Sequence, residues 1–181
     1  WDMWCRKYIL LGLICFYPLC RDVSLKEQMV CAMKRHADYI LDRIGPESEG
    51  KMPITMTSVV ADNKPIHGAM NSFSILEPMV LLYRITKEQR CIDFASYIVN
   101  EGVSEYADSI FELAYENKLP PYQYPHTKAY EMMSCFEGLL EYALETGNEK
   151  WKTAAIRFAY RFMETDITVM GSAGTAHEFL N

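Results

Sequence analysis

An all-α fold built from helical hairpins is what this sequence predicts, and three observations carry the prediction. Apolar residues recur at helical spacing, and helix-start and helix-stop signals cut the chain at regular places. The resulting helix pairs also resemble one another at a repeat of about 60 residues, longer than the short solenoid motifs.

The periodicity is clearest near the end of the chain. Trp151, Ala154, Ala155, Phe158 and Phe162 follow the i, i+3, i+4, i+7, i+11 rule, and Met132, Phe136, Leu139, Leu140 and Ala143 do the same on a preceding helix. Ser24 with Glu27 and Thr86 with Gln89 fit the capping box, in which a hydroxyl and an acid or amide each satisfy an orphan N–H at a helix start. Gly147 serves as a left-handed helix stop and Asn148 as the next cap. These signals delimit three hairpins: Asp2 to Leu19 with Leu25 to Ile44, Ser74 to Ile85 with Lys87 to Asn100, and His126 to Thr146 with Glu149 to Glu164. Their second helices share a related string near the end, Ala37-Asp38-Tyr39-Ile40, Ala95-Ser96-Tyr97-Ile98 and Ala159-Tyr160-Arg161-Phe162.

The first helix of each hairpin is apolar over a wide face, as in Tyr8 to Leu11 and Met79 to Leu82, whereas the second carries more charge. That asymmetry predicts an inner and an outer layer, the arrangement by which hairpins close into an (α/α)6 toroid. Pro78 either kinks its inner helix or occupies the first turn. Two stretches carry few helix signals, Gly45 to Ser72 and Asn117 to Pro125. Ile54 to Val60 alternates apolar and β-branched residues and predicts a short extended segment or hairpin, and Ser104 to Asn117 predicts one additional short helix.

Half of the residues are apolar, enough for an ordered core. A net charge of -6 without a Lys/Arg cluster argues against nucleic acid as a partner. The most apolar run, Tyr8 to Tyr17, is too short to span a bilayer, so no membrane partner is expected. Cys5, Cys15, Cys20, Cys31, Cys91 and Cys135 show no paired CxxC spacing and are expected to be mainly buried thiols. They leave the compartment open between periplasm, exterior and cytoplasm.

An up-and-down hairpin returns the chain to the end where it began, so every segment leading into an inner helix is expected at one rim. Trp1, Asp2 and Trp4 open the first inner helix, His67, Asn71 and Ser72 precede the second, and Tyr122, Tyr124 and His126 precede the third. Glu178 follows a Gly-Ser turn where another inner helix is expected to start. Rings beside carboxylate, imidazole and amide groups suit a carbohydrate, whose C–H faces stack on rings while its hydroxyls need polar partners. The competing reading of the same rings is that they cap the core at helix ends.

Four strings resemble glycoside hydrolase family 127, the β-L-arabinofuranosidase group: Lys7-Tyr8-Ile9-Leu10-Leu11-Gly12-Leu13, Ser74 through Arg84, Lys128-Ala129-Tyr130-Glu131-Met132-Met133-Ser134-Cys135, and Gly171-Ser172 through His177-Glu178. The resemblance implies an α/α toroid that hydrolyses L-arabinofuranosides with retention. It implies a cysteine thiolate nucleophile, a zinc ion held by cysteine and glutamate, and a separate glutamate as acid/base. Glu178 matches the acid/base position and His126 a substrate-pocket histidine, with Tyr124, Trp4 and His67 as further substrate-binding candidates. Glu178 can alternatively be a solvated carboxylate at a helix N-terminus, and His126 a helix cap.

The family's Glu-x-Cys motif and Cys-Cys pair lie downstream of the position matched by Glu178. None of the six cysteines matches them, so no metal ligand is assigned in this chain. A family histidine of the first inner helix is replaced near Tyr8. The expectation is therefore a partial catalytic domain over residues 1–181, truncated at both ends, inactive alone and prone to homo-oligomerise through exposed inner helices. Zinc is expected only in a full-length family member. Competing functions are a sugar epimerase or unsaturated-uronide hydrolase on a similar toroid, and a non-catalytic glycan-binding scaffold.

Overall fold

The computed structural model describes residues 1–58, 66–101, 109–174 and 178–180. Its fold is all-α: eight α-helices and four short 3-10 turns, with no β-strand among the described residues and three isolated bridges. The predicted part-helix at 104–108, the end of the predicted extended segment at Val59 and Val60, and His177 lie outside the described residues.

Helix α1 (Asp2–Phe16) starts with Asp2 in its first turn, where a carboxylate meets the positive end of the helix dipole, and Arg6 pairs with it at 2.8 Å. Pro18, which has no N–H to continue the ladder, follows its end. Helix α2 (Val23–Leu41) is capped by Asp22, which accepts from the Leu25 N–H at 3.0 Å, so the cap falls two residues before the expected Ser24. Asp caps as well as Ser and adds a favourable charge at the dipole; Ser24 instead accepts from the Gln28 amide at 3.4 Å within the helix.

The segment after α2 is anchored by hydrogen bonds, not by an extended hairpin. Ile54–Thr57 is a 3-10 turn closed by the Thr57 hydroxyl donating to the Ile54 carbonyl at 2.6 Å, and the Ile54 N–H donates to the Tyr97 hydroxyl at 3.0 Å. Pro53 directly before it and this hydroxyl bond favour a turn over the strand that the β-branched residues suggested.

A 3-10 turn at Ile66–Ala69 leads into the one-turn helix α3 (Met70–Phe73) and then α4 (Leu76–Thr86). Pro78 is the third residue of α4, where the N–H has no intrahelical partner, so it occupies the first turn without breaking a bond. Lys87 ends α4 in the left-handed conformation, and the Thr86 hydroxyl accepts from the Glu88 N–H at 3.3 Å before α5 (Gln89–Glu101) begins. Helix α6 (Ile110–Glu116) is capped by Ser109, α7 (Ala129–Thr146) is stopped by Gly147, and α8 (Glu149–Thr165) is capped by Asn148 accepting from Trp151 at 3.2 Å.

The first helices of the three hairpins form an inner row in the order α1, α4, α7, while α2, α5 and α8 pack behind it and α6 lies against α8. The row is parallel. Lys7 of α1 meets Glu77 of α4 at 3.4 Å near their starts, and Arg84 near the end of α4 reaches Glu141 and Glu145 in the second half of α7. The closest approach is at Gly138 of α7: a Cβ there would lie 2.8 Å from the backbone nitrogen of Glu77 and 2.9 Å from Leu76 Cβ. Only glycine lets α7 lie against the first turn of α4. Behind this seam Phe136 stacks on Phe158 with centroids 3.7 Å apart, joining α7 to α8.

Candidate functional site at the rim of the inner helices

The starts of α1 and α7 meet at one rim, while the first turn of α4 lies at the level of Gly138, midway along α7. From α1, Trp4 packs edge-to-face on Trp1 at 6.0 Å and on Tyr8 at 5.4 Å; from α7, Tyr130 meets Trp4 at 5.4 Å and shares a hydrogen bond of 2.5 Å between its hydroxyl and that of Tyr8. Trp1, Tyr8 and Tyr130 remain exposed. Burial first, and then the bond to Tyr130, raises the Tyr8 phenol above its ordinary range, so it stays a neutral hydrogen-bonding group.

Lys7 lies beneath these rings with 2% exposure, its ammonium 5.5 Å from the centroids of both Trp4 and Tyr8. Met3, Lys7, Leu10 and Ile14 form the buried stripe of α1, so an ammonium occupies a core position. A charge there demands a partner, and Glu77 supplies it. Burial pushes the Glu77 carboxyl above the usual carboxylate range, opposed by Lys7 and reinforced by Glu137 and Glu141 of α7.

The segment after α8 returns to the same rim. Phe179 bridges Lys128 in antiparallel sense and the Leu180 N–H donates to the Thr127 carbonyl at 2.8 Å, which brings Glu178 and His126 to the start of α7. Gly171, Gly174, Tyr130, Met133, Phe162, Ile167 and Glu178 border a cleft of about 450 Å³ there. Glu178 itself adopts φ 68°, a left-handed conformation that costs a non-glycine residue about 1 kcal/mol or more. Its side chain is 74% exposed and pairs with Lys128 at 2.8 Å, which holds the carboxyl below its ordinary range. As it stands this environment keeps Glu178 ionised, the opposite of what a proton donor needs.

The other expected residues divide. Trp4 is in the aromatic cluster and the backbone of His67 enters the rim in the turn before α3. His126 packs its ring edge on Gly68, where a Cβ would come within 2.5 Å of Cδ2, so the glycine makes room for the imidazole. Tyr124 is not presented to a ligand: it is 4% exposed, packed in the core, and burial pushes its phenol up to about 12. It was expected as a substrate-binding ring, and the 3-10 turn Pro121–Gln123 packs its segment against α8. Cys20, Cys91 and Cys135 are buried as expected, whereas Cys5, Cys15 and Cys31 are exposed, and all six are free thiols.

Glu77 is the residue that sequence reasoning passed over. Its signal was present in Lys7, a charge at the i, i+3, i+4 spacing of an apolar stripe. Among the described residues no group of three or more His, Cys, Asp or Glu side chains is placed to hold a metal ion, so the residues present do not form a zinc site. None of the helices is long and apolar enough to cross a membrane among the residues described. Comparison with known protein families, with curated proteins and with solved structures found no match.

Proposed function

We propose that this chain is catalytic-domain sequence of a retaining glycoside hydrolase acting on L-arabinofuranosides or related plant-type glycans, with the rim as its sugar site. The observation that carries the reading is the meeting of the α1 and α7 starts, which collects Trp1, Trp4, Tyr8 and Tyr130, with Tyr130 bordering the same cleft as Glu178. Exposed rings offer stacking faces for sugar C–H groups, and a carboxyl at the edge of the same cleft is the kind of group glycosidic cleavage uses as acid/base. The left-handed backbone of Glu178 adds support, since such outliers cluster at functional positions.

In this reading Glu178 borders the cleft and serves as acid/base once a bound sugar displaces Lys128. His126 and Trp4 contact the sugar. An unsaturated uronide fits this rim less well, because Lys7 and Lys128 are already engaged by Glu77 and Glu178. No step is assigned to zinc, since the ligands it would need are not formed by the described residues.

The test is hydrolysis of an aryl β-L-arabinofuranoside by the whole protein supplied with zinc, beside its Glu178→Gln variant. Wild-type turnover that the variant loses, most severely for substrates with poor leaving groups, is the expected result. Absence of wild-type turnover on any furanoside, or full activity of the variant, would sink the proposal.

A further inference from the structure

Tyr8 and Tyr130 stand on different helices, 122 residues apart in the chain, yet their phenol oxygens lie 2.5 Å from each other. Trp4 fixes both rings, packing edge-to-face on each at 5.4 Å, and the buried Lys7 ammonium lies 5.5 Å from the centroid of Tyr8. Both side chains nevertheless remain exposed, 40% for Tyr8 and 54% for Tyr130, and Tyr130 borders the cleft that Glu178 edges. A pair of polar oxygens held by packing thus stands at the wall of that cleft.

The hydrogen-bonding capacity of the pair is only partly used. Each phenol has one O–H to donate and lone pairs to accept with. The mutual bond consumes one of the two O–H groups, and among the described residues neither hydroxyl has a second partner. What remains is one free donor on one oxygen and an accepting lone pair on the other, side by side. A carboxylate, which only accepts, or an ammonium, which only donates, satisfies half of this arrangement. Two neighbouring hydroxyls satisfy all of it, one accepting from the free phenol and the other donating to its partner.

We propose that the Tyr8–Tyr130 phenol pair is a specificity-determining element that reads a vicinal diol of the bound sugar. This deepens the carbohydrate reading given above and rests on it. With the diol in place the bond between the phenols and the two new ones run head to tail, so that each O–H polarises the next. The exposed faces of Trp1 and Tyr130 lie beside the pair for the C–H side of the same ring. A bond that only tied α1 to α7 would affect folding whatever the ligand, whereas a diol reader affects affinity, and only for ligands that carry both hydroxyls.

The experiment needs no turnover. Ring signals of the whole protein carrying ¹³C-labelled tyrosine, assigned with Tyr8→Phe and Tyr130→Phe, are followed as methyl β-L-arabinofuranoside or its 2-deoxy or 3-deoxy analogue is added. In a furanoside the hydroxyls at carbons 2 and 3 form the vicinal pair, so each analogue lacks one member of the diol. The parent glycoside should bind about fivefold or more tightly than either analogue, the size of one hydrogen bond lost. Phenylalanine keeps the ring packing on Trp4, and unfolding midpoints check that both variants are folded. A lone phenol still bonds one hydroxyl, but in each variant the preference for the parent over its analogues should collapse. Analogues that bind as tightly as the parent overturn the proposal and leave the carbohydrate reading intact. The same holds if both phenylalanine variants keep the full preference. No tyrosine response to any of the glycosides overturns both.

Discussion

The two flanks of α7 are built differently. Toward α4 the helix is closed: Gly138 admits backbone-to-backbone contact, Leu76 fills the space above it, and Arg84 ties the far end to Glu141 and Glu145. Toward its other side, Met133, Leu140 and Phe136 face Met163, Phe162 and Ile167 across an open apolar groove of about 380 Å³. Both flanks derive from the same apolar helix pattern. What distinguishes them is whether a neighbouring helix start arrives, and the arrival of α4 is also what buries Glu77. The seam therefore both joins the helices and buries Glu77, while the groove leaves Met133, Leu140, Met163 and Ile167 exposed between α7 and α8.

Breaking the seam should have the largest effect. Leu76→Ala removes a fully buried side chain at the crossing and is expected to cost about 2–5 kcal/mol, read from urea unfolding. Gly138→Ala pushes a methyl group into the Glu77 backbone and should cost about 1–3 kcal/mol. It should also disturb the Glu77 titration, whereas Leu140→Ala on the open flank should do neither. If Gly138→Ala proved as harmless as Leu140→Ala, the description of the seam would be wrong.

The charged end of the seam contributes less. Arg84→Ala is expected to lower stability by about 1 kcal/mol or less, because the Arg84 network is partly solvated and screened. Its pH dependence has a defined sign. Arg84 holds the Glu145 carboxyl below its ordinary value of 4.5, so this stabilisation is present above that value and disappears as pH falls through the lowered one. Acid unfolding of the wild type should converge on that of Arg84→Ala in this range; a constant gap between them would remove the electrostatic account. The smallest effect on stability is expected at the groove. Met163→Lys should leave the unfolding midpoint nearly unchanged, yet reduce concentration-dependent self-association in sedimentation velocity. Self-association left undiminished by Met163→Lys would show that it does not run through the groove.

Much of the fold could be read in advance from local signals. Gly147 and Asn148 act at the end of α7 and the start of α8 as their types dictate, and Pro78 sits in the first turn of α4. The cap at Asp22 instead of Ser24 shows the limit of such reading, since two good caps two residues apart differ by little in energy. The site was legible in outline only. The shared rim follows from hairpin topology, and Trp4, His126 and Glu178 do come to it. Tyr124 turned inward, and the carboxyl with raised proton affinity proved to be Glu77.

By itself the sequence determined which stretches are helical, where most of them stop, and that three hairpins repeat, because propensity, capping and periodicity act over a few residues of contiguous chain. Only the tertiary structure decided which carboxyl loses its water. That depends on Lys7, Glu77 and Gly138, which stand on α1, α4 and α7 and meet only when the inner row assembles. Desolvation is a property of the surroundings in space, so one glutamate of the rim is buried against an ammonium while another, equally plausible in the sequence, is left ionised in solvent.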